Sequence, residues 1–421
     1  MRSLLLVASS LALLTAVSTA SAAPSASSFA ATVDEVLAQP YQADYAPLGT
    51  DSAFDTLVPN TAPAEDYTTG SIPGSPDLPA WPADFRLVTI SSGDGAKLFA
   101  RVAVHPGTHP GIVVAHGFNT HGLESVIRWA AMLYARGYDV IAADQRDFFY
   151  ESQAGYGSPT VFPQTFGWKE SEDVLAAGRY LAAQAGVGAV GVVGFSEGAQ
   201  NTVLALALDR ESRSRVFSAG LTFSGPADQD TQIYSGAVPT ACESPLCTYP
   251  VTDALVSLVV PHETTACGAL TDAATAYGTS GFSILAHESA VHAQTSIRVP
   301  LLNVYTADDS LVPPLMAELM TAYESGNALQ RTVELQRGEH AYFFDRWWQQ
   351  RAILLYFKAM LPRAAGDLTI GTDATVLRTA GGAPASEQTV ALGPVSRAWA
   401  DAQLAPYVCD TSQGVPGLST P

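Results

Sequence analysis

Basic residues are scarce: 21 Lys and Arg stand against 40 Asp and Glu, a formal net charge of -19. No basic stripe is available to neutralise phosphates, which excludes a nucleic-acid partner. Charge of either sign is sparse, 14% of residues against 47% hydrophobic, so the chain is too apolar for a disordered protein and ample for a large core. Cysteine is rare as well, with four residues (Cys242, Cys247, Cys267, Cys409) and no C-x-x-C pair. His287 and His292 are five apart, not the four that would align two ligands on one helical face. No metal and no cofactor are expected. Beyond the N-terminus no apolar run is long enough to span a bilayer, so no stable membrane insertion is expected. No internal repeat is visible, and the oligomeric state is open.

The N-terminus is different in texture. Met1-Arg2, an apolar stretch from Leu4 to Val17 and the small residues Ala20-Ser21-Ala22 form the three regions of a cleaved signal peptide, residues 1–22. No cysteine sits there to carry a lipid anchor. A secreted or periplasmic location follows, and export makes two disulfides the expected state of four cysteines. Three pairings are possible. Proximity favours Cys242 with Cys247, which leaves Cys267 to tie down Cys409.

Residues 23–82 are rich in Ala, Ser, Pro and Thr and predict mostly extended or loosely ordered chain, with one helical patch at Ala31–Leu37. From Phe85 the pattern sharpens. Phe85–Ile90 and Lys97–Val104 alternate about Gly93-Asp94-Gly95 and predict an antiparallel hairpin. Continuous apolar runs then alternate with helical periods: strands at Gly111–Ala115, Tyr138–Ala143, Val190–Val193, Ala219–Phe223, Val299–Tyr305 and Thr332–Leu335. The helices between and after them fall at Leu123–Arg136, Glu170–Ala185 and Tyr342–Met360. That alternation predicts an α/β fold, a mostly parallel sheet with helices on both faces and its ligand at the carboxyl ends of the strands. Residues 226–298 are too long for a simple connection and predict an inserted cap within a catalytic domain of residues 83–363. The extension 364–421 is rich in Gly, Ala and Thr, without a period that assigns it.

The strand at Val190–Val193 runs into Gly194-Phe195-Ser196-Glu197-Gly198 and then a helical stretch. Strand, G-x-S-x-G, helix is the context of a nucleophile elbow, where a sharp turn lifts a serine above the sheet and bulky neighbours two residues away would collide. Asp308-Asp309-Ser310-Leu311-Val312-Pro313 and Gly338-Glu339-His340 each follow a later strand, and His116-Gly117-Phe118 and Asp144-Gln145-Arg146 each follow an earlier one. In this order the five motifs resemble the α/β-hydrolase superfamily over about Phe85–Leu361.

The resemblance implies a catalytic triad of Ser196 as nucleophile, His340 as general base and then acid, and Asp309 orienting the imidazole. The oxyanion hole would be the backbone N–H groups of Phe118 and Glu197. Asp308 is the adjacent alternative for the acid, and Asp228 or Asp230, after the preceding strand, are others. His116 would order the oxyanion loop, with Asp144 and Arg146 structural. Glu197 also stands where a side chain could tune the site. The chain departs from the family at Asp147-Phe148-Phe149-Tyr150, in place of Arg-Gly-x-Gly, and at Asn119 in the oxyanion loop. With Tyr156, Phe162, Phe166 and Trp168 the first departure makes an aromatic wall for a substrate pocket. A serine at the elbow argues against the aspartate-dependent dehalogenases and epoxide hydrolases of the same fold. The implied activity is ester hydrolysis through an acyl-enzyme. The alternative is a serine aminopeptidase of the proline iminopeptidase type, with Asp253, Glu263 and Asp272 as candidates for binding an amino terminus. A non-catalytic binding protein is a third reading, against which the apparent triad stands. The partner in the first two is a small ester or a short peptide.

Overall fold

A computed structural model describes residues 24–41, 81–117, 122–146, 162–212, 215–228, 240–243, 247–251, 273, 275–279, 287, 289–309, 311–324, 326–338, 340–341, 346–361, 383–404 and 408–409. The expected signal peptide at residues 1–22, most of the expected cap at 226–298, and residues 364–382 and 410–421 of the C-terminal extension lie outside the described residues. No helix among the described residues is long and apolar enough to cross a membrane.

The chain opens on helix α1, Ala26–Leu37. Strands β1, Arg86–Ser91, and β2, Lys97–Ala103, form the expected hairpin. Then come β3, His109–Ala115, helix α2, Ile127–Ala135, and β4, Asp139–Ala143. Helix α3, Trp168–Ala182, precedes β5, Val187–Phe195, which turns directly into α4, Glu197–Glu211. Strand β6, Phe217–Phe223, is followed by β7, Thr240–Glu243, β8, Cys247–Val251, and the short α5, Ala290–Gln294. Strand β9, Leu301–Thr306, α6, Leu315–Tyr323, β10, Gln330–Leu335, and α7, Arg346–Met360, complete the alternation. The C-terminal extension adds α8, Arg397–Gln403, and β11, Val408–Cys409.

Eight strands make one sheet in the order β1-β2-β4-β3-β5-β6-β9-β10. Strand β2 is antiparallel to both neighbours and every other pairing from β4 to β10 is parallel. Alternate residues feed two cores, as the two-residue strand period requires. Ile112 and Val114 pack with α1, α2 and α7, whereas Val113 and Ala115 pack with α3, α4 and α6. The strands are apolar on both sides because both faces are covered.

One expectation needs correction, and one unassigned segment takes shape. Residues 24–41 are not loosely extended. Ser25 caps α1 through a reciprocal bond with Ser28, and Phe29, Val33 and Val36, spaced for one helical face, are buried in the core against α7. The C-terminal extension also has structure: residues 383–404 are described, and β11 pairs with β8 to make a three-stranded sheet with β7. In that sheet Cys409 stands opposite Cys247 and Cys242 opposite Tyr249, while Cys267 lies outside the described residues. The remaining expected elements differ from the observed ones by a few residues at their ends. The stretch Gly122–Val126 forms a 3₁₀ turn ahead of α2.

Buried carboxyls set a pH dependence on the fold. Burial pushes Asp139 up to about 6 and Glu324 and Glu334 up to about 7. The folded chain therefore keeps these protons to higher pH than the unfolded chain does. Stability falls as pH rises from the ordinary carboxylate range toward 7. The thermal midpoint should be higher at pH 5.5 than at pH 8, and the opposite order in differential scanning calorimetry would contradict this.

Candidate active site

The β5–α4 turn places Ser196 at φ 55°, ψ -127°, a region in which a residue with a side chain is strained by about 1–3 kcal/mol. Its surroundings hold it there. The Ser196 N–H donates to the Phe223 carbonyl at 2.9 Å, and α4 begins at the next residue. The two glycines are required by space. A Cβ on Gly194 would stand 2.2 Å from the Gly198 carbonyl oxygen, and one on Gly198 would stand 2.2 Å from that of His116. Those contacts let strand β3 and helix α4 close around the serine.

His340 comes to Ser196 from the loop after β10, and Asp309 from the loop after β9. The Ser196 hydroxyl lies 2.7 Å from His340 Nε2, and His340 Nδ1 lies 2.9 Å from Asp309 Oδ2. An ionised carboxylate only accepts, so Nδ1 carries the proton and Nε2 is left to accept from the serine. Asp309 is itself held: its Oδ1 accepts from the backbone N–H groups of Leu311 at 2.9 Å and Val312 at 2.8 Å. The Asp309 and His340 side chains are 1% and 6% exposed. Asp309 is thus the carboxylate beside His340 in the pair Asp308-Asp309. Asp228 is buried after β6, and Asp230 lies outside the described residues.

Of the two oxyanion donors expected, Phe118 lies outside the described residues. Glu197 occupies the first position of α4, where backbone N–H groups are unsatisfied by the helix and the dipole favours negative charge. Its side chain is 3% exposed and turned away from solvent, with Gln164 Nε2 at 3.3 Å. Burial, reinforced by the nearby Glu170, pushes the Glu197 carboxyl well above the usual carboxylate range.

His116 takes no part in the relay. Its Nδ1 lies 2.7 Å from the Gly117 carbonyl and its Nε2 accepts from the Gln145 N–H at 3.1 Å. Gln145 in turn donates to the His116 carbonyl at 2.7 Å. Asp144 accepts from the Leu123 N–H at 2.9 Å. These bonds fix the end of β3, Ala115 to Gly117.

Arg146 is fully buried and bridges three parts of the chain. It donates to Asp94 in the β1–β2 turn at 2.6 Å, to Asp173 of α3 at 2.6 Å, and to the Tyr277 hydroxyl, between β6 and β9 in sequence, at 2.7 Å. Burial opposes its charge, but Asp173 holds the guanidinium well above its ordinary value. Arg146→Met should cost about 3–5 kcal/mol by leaving Asp173 buried and unpaired. Urea unfolding checks this, and a loss below about 1 kcal/mol would refute it.

Sequence reasoning missed Ser224 and Gln349, which hold the residue after His340. The Ser224 hydroxyl accepts from the Ala341 N–H at 3.1 Å, and Gln349 Nε2 donates to the Ala341 carbonyl at 2.8 Å. Ser224 has φ 50°, for which Ser224-Gly225-Pro226 was the available turn signal. Nothing local marked Gln349. Of the aromatic wall, Phe166 is buried and Trp168 stacks on His287 at 4.8 Å, while residues 147–161 lie outside the described residues.

This strand order, with a serine elbow after β5, an aspartate after β9 and a histidine after β10, is the α/β-hydrolase fold. No family model matches the chain. A curated relative, thiohydrolase aneE of Aspergillus aculeatus, is 32% identical over 132 residues. The match covers 31% of this chain and 39% of that protein, so the chain spans about two-fifths of its relative's length. Similar solved structures include the Pyrococcus furiosus esterase Pf2001, 19% identical with a TM-score of 0.43, covering 66% of this chain and 93% of that one. Another is the Pyrococcus horikoshii acylaminoacyl peptidase, 14% identical with a TM-score of 0.46, covering 70% and 44%. A puromycin hydrolase is 16% identical with a TM-score of 0.47, covering 71% and 42%.

Proposed function

We propose that this chain is an exported serine hydrolase that cleaves carboxylic esters through an acyl-enzyme. The single observation that supports it most is the relay from Asp309 through His340 to Ser196, with bonds of 2.9 and 2.7 Å, ending on a strained elbow. In the first half-reaction Ser196 Oγ attacks the ester carbonyl carbon and its proton passes to His340 Nε2. The carbonyl π pair moves onto oxygen, and the oxyanion is met by the Glu197 N–H and, from the oxyanion loop, that of Phe118. Collapse expels the alcohol, which takes the proton from His340. Water then repeats the sequence on the acyl-enzyme and releases the acid. Asp309 keeps the imidazole in the accepting tautomer and stabilises its cationic form.

The test is a panel of p-nitrophenyl esters of rising chain length, an acyl thioester and aminoacyl p-nitroanilides, run on the purified chain without residues 1–22. The thioester is included because the curated relative is a thiohydrolase. Ester turnover at least about tenfold above anilide turnover is the expected result. The reverse order would move the reading to an aminopeptidase. Because the base must be neutral to accept the proton, kcat/KM should decline toward acid pH. A rate that does not fall on acidification would argue against a histidine base.

A further inference from the structure

The two segments that flank the hydrolase domain meet beneath the loop that carries His340. Tyr41, four residues beyond α1, is 1% exposed and its hydroxyl donates to the Arg337 carbonyl, three residues before His340. Tyr41 is held from several sides. Its N–H donates to the Ala383 carbonyl at 2.9 Å, and its own carbonyl accepts from Gln388 Nε2 at 2.8 Å. Its ring meets the edge of Trp348 at 5.4 Å, and Trp348 Nε1 donates to the Val36 carbonyl at 3.2 Å. Arg351 Nη2 donates to the Pro40 carbonyl at 2.6 Å. The C-terminal segment continues the clasp along β10: Gln336 N–H donates to the Gln388 carbonyl at 2.7 Å, and Val390 N–H to the Glu334 carbonyl at 2.8 Å.

The loop after β10 is thus fixed at both ends. Ser224 and Gln349 hold Ala341 on one side of His340, and on the other Tyr41 holds Arg337 from a position 296 residues away in sequence. We propose that Tyr41 is a positioning residue for His340, and that the N-terminal helix and residues 383–390 form a clasp that sets the base at bonding distance from Ser196. The inference rests on the serine-hydrolase reading for its effect on rate, and on the geometry alone for its effect on the imidazole. A general base acts only within hydrogen-bond reach, and a misplacement of about 1 Å costs up to about 10²-fold in rate. A loop of this kind is where such slack would enter.

The experiment compares the chain without residues 1–22 and its variant Tyr41→Phe, which keeps the ring on Trp348 and removes the hydroxyl. Turnover of a p-nitrophenyl ester is measured beside the NMR signals of the His340 imidazole in 15N-histidine-labelled protein. The expected result is a fall in kcat of about tenfold with KM within about twofold, a displaced acid limb of kcat/KM, and shifted His340 signals. Gln388→Ala, which removes the bond to the Tyr41 carbonyl and leaves the Tyr41 hydroxyl in place, should move both readouts in the same direction by less, and serves if Tyr41→Phe does not fold. Ile90→Ala, buried on β1 at the sheet edge opposite β10 and outside the clasp, should lower the thermal midpoint and leave kcat per folded molecule unchanged. Unchanged kcat and unchanged His340 signals in Tyr41→Phe would overturn the inference. Shifted signals in a chain whose wild type shows no Ser196-dependent turnover would overturn the hydrolase reading and uphold the positioning.

Discussion

Replacing Ser196 by alanine should lower kcat on a p-nitrophenyl ester by about 10⁶-fold while the chain stays folded. The size follows from the role. Without Oγ there is no atom to form the acyl-enzyme, and His340 can at best activate a water that the site was not shaped to hold. Residual rate would come from the oxyanion donors and from binding, which survive the substitution because they are backbone groups and pocket walls. The fold should survive because the elbow is built from the Phe223 carbonyl, the two glycines and helix α4, none of which uses the hydroxyl. Steady-state kinetics with circular dichroism checks both halves. A loss of less than about tenfold would remove Ser196 from the chemistry.

Asp309→Asn should cost about 10⁴-fold in kcat with the fold intact. The direction is set by how the carboxylate is held. Its Oδ1 accepts from the Leu311 and Val312 N–H groups, so an asparagine would keep its own carbonyl oxygen there. That leaves the Nδ2 amide hydrogens facing His340 Nδ1, where Oδ2 now accepts at 2.9 Å. The imidazole must then accept at Nδ1 and carry its proton on Nε2, the tautomer that cannot take the proton of Ser196. Kinetics at pH 7 and at higher pH checks this. A loss near the size of a simple packing change, within about tenfold, would show that Asp309 does not govern the tautomer.

Much of the sheet was legible because its strands are buried on both faces and therefore read as continuous apolar runs: Gly111–Ala115 and Val190–Val193 are examples. The elbow was legible for steric reasons, since Gly194 and Gly198 leave no room for a Cβ. Asp309 and His340 were legible through the resemblance, which sets an acid and a histidine after the two later strands; residue type alone placed Asp308 as well as Asp309. The clasp was hidden. Tyr41, Ser224 and Gln349 act through contacts across the fold, with no period or turn chemistry that ties them to His340. Helix α1 was half seen at Ala31–Leu37, but its cap at Ser25 and its anchor Phe29 lay in Ala/Ser-rich chain that resembles linker. Residues 383–390 lacked a period because their order comes from single bridges, such as Leu335 to Thr389, and not from a repeated face.

The central claim is that Ser196 is the nucleophile of a covalent mechanism, and a fluorophosphonate measures it most directly. The chain without residues 1–22 is treated with the probe, weighed intact and digested to find the modified peptide. One adduct per chain on the peptide containing Ser196, absent in Ser196→Ala and slowed in Asp309→Asn, is the result this account predicts. No adduct, or an adduct on another serine that persists in Ser196→Ala, would contradict it.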